Sequence, residues 1–231
     1  MKETKGKNQQ TVARESPLVE PVSRPPLGPD KQQSFVAAVD SSTSMTGQKL
    51  ADAIAALTAI TRILRDPKNR GAFHEAVISY NDDATVLFGL KPASEVRDED
   101  LRLTASGSTN IGRGLERALD VLIGSPTGGS WQRPIVVLMS DGWNRLGPDP
   151  EVIATKLKAK ADLICVGFGD NADLALLGRL ANTPAHAFRC TDGAELRRFF
   201  IAVGSTMSQA RPGQSVAAAL LGGTKGVVRS G

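Results

Sequence analysis

The stretch FVAAVDSSTSMTG, residues 35 to 47, decides how this chain is read. Its first half is a short apolar run of the kind that forms a strand buried on both faces of a sheet. At Asp40 the run ends on a carboxylate, and hydroxyls follow at Ser41, Ser42, Thr43 and Ser44. In open α/β sheets ligands bind beyond the carboxyl ends of the strands, so a strand ending in oxygen atoms delivers them where a ligand would sit.

Outward from this stretch, short apolar strands alternate with helical patterns, the mark of a doubly wound α/β sheet. Strands are predicted at Phe35 to Asp40, Glu75 to Tyr80, Ala84 to Phe88, Pro134 to Ser140, Ala161 to Gly167 and Ala185 to Cys190. Leu50, Ile54, Leu57 and Leu64 recur at helical spacing until Asp66 and Pro67 stop the pattern. Further helices are expected at Ile111 to Leu122, Pro150 to Ala159, Asp173 to Leu180 and Ala194 to Met207. AVISYNDDATVLFG, residues 76 to 89, reads as two strands about a tight Asn-Asp-Asp turn. The expected architecture is a mostly parallel central sheet of about six strands, with one antiparallel edge strand and helices on both faces.

Composition divides the chain of 231 residues into three. Residues 1 to 33 are polar and then proline-rich, which predicts a disordered leader. Residues 34 to 208 form the expected domain. Residues 209 to 231 mix glycine with a short apolar patch at Val216 to Leu221, which predicts a flexible tail or a segment that orders on a partner. The formal net charge of +4 resides in these two ends, because residues 1 to 33 carry six basic and four acidic side chains and residues 209 to 231 carry three basic and none acidic. The domain between them is close to neutral, which argues against a nucleic-acid face. Arg197, Arg198, Lys156, Lys158 and Lys160, without interleaved aromatics, read as solvated helix faces.

No apolar run is long enough to span a membrane, and MKETKGKNQQ lacks the apolar stretch of a secretory signal, so a cytoplasmic location is expected. Cys165 and Cys190 lie in apolar, strand-like segments without a Cys-x-x-Cys or Cys/His cluster, and read as core thiols. His74 and His186 are isolated, and neither suggests a nucleophilic triad. GFGDNA, residues 167 to 172, fits a dinucleotide fingerprint in form only, since Asp170 and Asp173 would place negative charge where a pyrophosphate should lie.

Three segments matter together: Asp40 to Ser44, SGSTNIG with Thr109 just ahead of the Ile111 helix, and VVLMSDGWN with Asp141 and Gly142 at the end of an apolar strand. Two carboxylates and three hydroxyls, with no nitrogen or sulfur, form a hard-oxygen set suited to Mg²⁺ or Mn²⁺. Each segment also has a plainer reading. The Asp40 loop can cap the Gln48 helix, Thr109 or Asn110 can cap the next one, and Trp143 serves equally as a partner-site aromatic or a loop anchor.

Asp-x-Ser-x-Ser after the first strand, Gly-x-Thr before a central helix and an apolar strand ending in Asp-Gly resemble the metal-ion-dependent adhesion site of von Willebrand factor A-type (VWA) domains. The resemblance spans about residues 34 to 208 and is nearest to small bacterial VWA proteins associated with tellurite resistance and stress response. It implies that Ser42 and Ser44 bind the metal directly, Thr109 directly or through water, and Asp40 and Asp141 mostly through water and by orienting the serines. The remaining metal position would take an Asp or Glu of a partner protein, by resemblance a protein kinase or PP2C-type phosphatase. Thr43 departs from the family's usual glycine, and a β-branched residue there stiffens the loop and disfavours positive φ.

The expected function is therefore a metal-dependent protein-binding scaffold and not an enzyme. The rival is a Mg²⁺-dependent phosphotransferase or phosphatase with Asp40 as nucleophile. Haloacid-dehalogenase-type enzymes place a general-acid Asp two residues after the nucleophile, and here that position is Ser42, which favours binding.

Overall fold

The computed structural model describes residues 32–125, 130–210 and 213–223. Its sheet has six strands: β1 (Gln33–Asp40), β2 (Phe73–Tyr80), β3 (Ala84–Pro92), β4 (Ile135–Ser140), β5 (Asp162–Phe168) and β6 (Ala187–Cys190). Their spatial order is β3-β2-β1-β4-β5-β6, with β3 antiparallel to β2 and every other pair parallel. The doubly wound, mostly parallel sheet with one antiparallel edge strand is thus observed. β3 runs four residues beyond its predicted end, to Pro92.

Helices α1 (Gln48–Leu64), α2 (Ile111–Ile123), α3 (Pro150–Lys158), α4 (Leu174–Leu180), α5 (Gly193–Gln209) and α6 (Val216–Gly223) cover the sheet. Alternation along β1 assigns its two faces: Phe35, Ala37 and Val39 join the core under α1, α5 and α6, whereas Val36 and Ala38 join the core under α2, α3 and α4. Every residue of β1 is buried, as a central parallel strand requires. On one face α5 lies close against α1, where Gly204 meets Ile60 and Ile63. On the other, Gly114 of α2 leaves room for the ring of Tyr80, whose hydroxyl donates to the Met139 carbonyl across the sheet at 2.7 Å.

The strand order places the site. From β1 the chain winds outward through β2 and β3, and then returns to add β4 on the other flank of β1. Its two directions of winding part between β1 and β4, opening a crevice at their carboxyl ends. Asp40 ends β1, and Asp141 follows the last residue of β4.

The predicted leader lies outside the described residues except for Gln32 and Gln33. Gln33 opens β1, and Gln32 forms an isolated bridge with Trp131. Residues 209–231, read from the sequence as flexible or partner-ordered, include α6, whose Val216, Ala217 and Leu220 are buried against the core of the same chain. Ser215 fastens its start by donating to Asp162 Oδ2 at 2.8 Å. Asp162 also accepts from Arg133 Nε at 2.7 Å and Asn182 Nδ2 at 3.1 Å. The sequence hid this helix because a short helix that is apolar almost all round carries no helical periodicity.

Cys165 and Cys190 are buried, unpaired thiols in separate cores on opposite faces of the sheet. Burial pushes the Cys190 thiol up to about 12 and that of Cys165 higher still. Among the described residues, no helix is long and apolar enough to cross a membrane.

Candidate metal centre

Asp40 is fully buried, and both of its oxygens are used within the chain. The Ser42 amide donates to Oδ1 at 2.8 Å, and the Ser140 hydroxyl donates to Oδ2 at 2.9 Å. Burial pushes the Asp40 carboxyl up to about 6, against the pull of the Ser42 and Ser140 hydrogen bonds and with a smaller push from neighbouring Asp141. The bond to Ser42 closes an Asx-type turn and brings the following hydroxyls back over the strand end.

Those hydroxyls form a chain. Ser42 Oγ lies 2.9 Å from Ser44 Oγ, and Ser44 Oγ donates to Asp141 Oδ1 at 2.6 Å. The other oxygen of Asp141, Oδ2, accepts from Lys49 Nζ at 2.6 Å. Thr109 is buried, with its Oγ1 next to Gly142, and its carbonyl accepts from the Arg145 amide at 2.9 Å. Ser42, Ser44, Thr109 and Asp141 line one cleft, together with Gly107, Ser108, Gly142, Trp143, Arg145 and Asn171. Four of the five predicted site residues share this wall, and Asp40 lies buried behind it, holding Ser42.

The loops are braced against one another. Thr43 opens a 3-10 turn, Thr43–Met45, and among the described residues only Arg70 has positive φ outside glycine, so the side chain at this position is unstrained. Thr43 binds the Gly107 carbonyl through its amide at 3.0 Å and its hydroxyl at 2.8 Å. Threonine where the resembled family has glycine thus ties the first loop to the second. Asn110 caps α2 by accepting from the Arg113 amide at 3.0 Å and donates to the Asp82 carbonyl at 3.0 Å, while Thr109 points its hydroxyl toward Gly142. The cap falls to Asn110, which leaves the Thr109 hydroxyl for the cleft.

Three functional features escape the sequence reading. Ser140 fixes Asp40, Lys49 fixes Asp141, and the Arg145 side chain lies exposed on the cleft without an ion-pair partner among the described residues. Ser140 could have been found from its place just before Asp141. Lys49 and Arg145 have no local signal, since only the fold brings Lys49 to Asp141 and sets Arg145 on the cleft.

Among the described residues no three His, Cys, Asp or Glu side chains gather into a metal cluster. The donor set is instead hydroxyl-rich, with Ser42, Ser44 and Thr109 in front and two carboxylates that complete or orient them. Such oxygen donors fit a hard divalent ion.

The family model of the von Willebrand factor type A domain matches residues 35–201. The chain belongs to this family. Its domains are protein-interaction and adhesion modules, often metal-dependent. The VWA domain of Mfa5, the type V pilus tip protein of Porphyromonas gingivalis, superposes with a TM-score of 0.66 at 16% identity, covering 80% of this chain and 99% of that one. A VWA protein from Catenulispora acidiphila gives a TM-score of 0.65 at 20% identity over 78% of this chain and 43% of its own. Proximal thread matrix protein 1 of the mussel byssus, in a structure whose MIDAS motif holds zinc, gives 0.62 at 20% identity over 83% and 46%. This VWA chain spans less than half the length of the mussel and Catenulispora proteins. No curated protein matches it.

Proposed function

We propose that this VWA domain is a metal-dependent protein-binding module that docks an acidic residue of a partner and so scaffolds a complex. The observation that carries the reading is the shared cleft of Ser42, Ser44, Thr109 and Asp141 at the β1/β4 crevice. Ser42, Ser44 and Thr109 would hold Mg²⁺ or Mn²⁺, with Asp40 and Asp141 orienting the serines. When bound, the ion supplies a Lewis-acidic point for an external carboxylate. The rim fits such a partner. Arg145, without an ion-pair partner among the described residues, offers its guanidinium to a carboxylate, and Trp143, 55% exposed, offers apolar area of the kind enriched at binding hot spots.

We place the module in the cytoplasm, in a bacterial stress or defence system, with a protein kinase or PP2C-type phosphatase as the partner class. The burial of Asp40 supports docking over the rival phosphotransferase. A nucleophilic carboxylate needs a free oxygen facing substrate, and both oxygens of Asp40 are engaged inside the chain.

Calorimetric titration with Mg²⁺ and Mn²⁺ tests the proposal, comparing the wild type with Asp40→Ala and with Ser44→Ala, whose exposed position keeps the core intact. Saturable binding lost in both variants, and capture of an acidic partner only without chelator, is the expected result. Absence of binding in the wild type would sink it.

A further inference from the structure

Lys49 makes a close ion pair with the cleft residue Asp141 that the docking reading leaves without a role. It stands on the first turn of α1, and its Nζ lies 2.6 Å from Asp141 Oδ2. Asp141 is fully buried at its side chain, whereas that of Lys49 keeps 34% exposure. The lysine lies over the turn at Gly169, where a Cβ would stand 3.6 Å from both Cε and Nζ, and it is absent from the cleft wall. Lys49 thus engages the oxygen of Asp141 that is not given to the hydroxyl chain, and Ser44 engages the one that is.

We infer that Lys49 is a positioning residue that holds Asp141 with Oδ1 toward the hydroxyls and draws charge from it, making the bound ion weaker in retention and stronger in attracting an acidic partner. This rests on the metal-docking reading above. The charges make the direction plain. Asp40, Asp141, Lys49 and the rim's Arg145 sum to zero, so a divalent ion brings the site to +2, and without Lys49 the loaded site keeps only +1. Coulomb interaction in a partly dry cleft then lowers affinity for the cation and raises affinity for an anion. Lys49 therefore moves the two affinities in opposite directions, whereas a residue that merely supported the loop would move both together.

The full chain carrying Trp131→Phe leaves Trp143 on the cleft as the fluorescent reporter, since the protein has two tryptophans. Mg²⁺ binding is measured by calorimetry, and acetate binding to the Mg²⁺-loaded chain by Trp143 fluorescence, for Lys49, Lys49→Met and Lys49→Arg. Melting temperature checks that each variant folds. Lys49→Met is expected to bind Mg²⁺ about tenfold more tightly and acetate about fivefold more weakly, with Lys49→Arg close to the parent in both. Weakening of both constants in Lys49→Met, or no change in either, overturns the positioning role while parental Mg²⁺ binding upholds the docking reading. A parent that takes up no Mg²⁺ overturns both.

Discussion

At the scale of single residues, the site depends on small spaces kept open for particular atoms. Gly147 has φ of +90°, and a Cβ there would collide with the side chain of Asn110, which caps α2 and holds the β2–β3 turn. Gly147→Ala is expected to cost about 2–3 kcal/mol, from left-handed strain and a lost cap, read by urea unfolding. Because Thr109 adjoins Asn110, the same variant should also weaken Mg²⁺ binding. A second residue controls pH dependence. Burial pushes the Glu75 carboxyl up to about 7, only partly offset by the Thr61 hydrogen bond and the Arg65 and Lys91 charges. The folded chain therefore holds this proton more tightly than the unfolded one. Its stabilising effect is complete below the unfolded value of 4.5 and is lost as pH rises through 7, a change of about 3 kcal/mol. Glu75→Gln cannot titrate and should remove most of this fall between pH 5 and pH 8; an unchanged pH slope in urea unfolding would refute it. Asp40 and Asp141 were legible in the sequence because each stands at the end of an apolar strand, and Ser42 and Ser44 because of their spacing after Asp40. Lys49 was not, since its partner lies 92 residues away along the chain.

Among the elements, strands showed themselves most clearly and α6 least. β1 and β4 are continuous apolar runs bounded by polar loops, so their existence follows from composition alone. α6 hid because Val216, Ala217 and Leu220 pack in one short apolar segment between glycines, although Ser215 supplies a cap by accepting from the Ala218 amide at 3.2 Å. Its contribution is measurable. Ending the chain after Ala210 exposes the core those three side chains cover and removes the Ser215–Asp162 bond, for an expected loss of about 3–5 kcal/mol in urea unfolding. Unchanged stability would mean that α6 covers nothing that matters.

For the whole molecule, topology decides where chemistry can occur. Had β4 been added beyond β3 instead of beside β1, Asp40 and Asp141 would end strands far apart, and the same side chains would form no site. The cleft is built from loops far apart in sequence, so ligand binding stabilises the assembled fold over the unfolded chain. Mg²⁺ at about a hundred times its dissociation constant should raise stability by about 2.7 kcal/mol, or roughly 5–10 °C in melting temperature for a domain of this size. Ser44→Ala should melt at one temperature with or without Mg²⁺, checked by calorimetric scanning. The two thiols, sealed in cores on opposite faces of the sheet, have a practical consequence. No cysteine is open to a maleimide in the native protein, so Ile123→Cys, at a position 65% exposed at the far end of α2, would be the single labelling point. A fluorophore there stands about 18 Å along the helix from the cleft end, near enough to report on an arriving partner and far enough not to obstruct it.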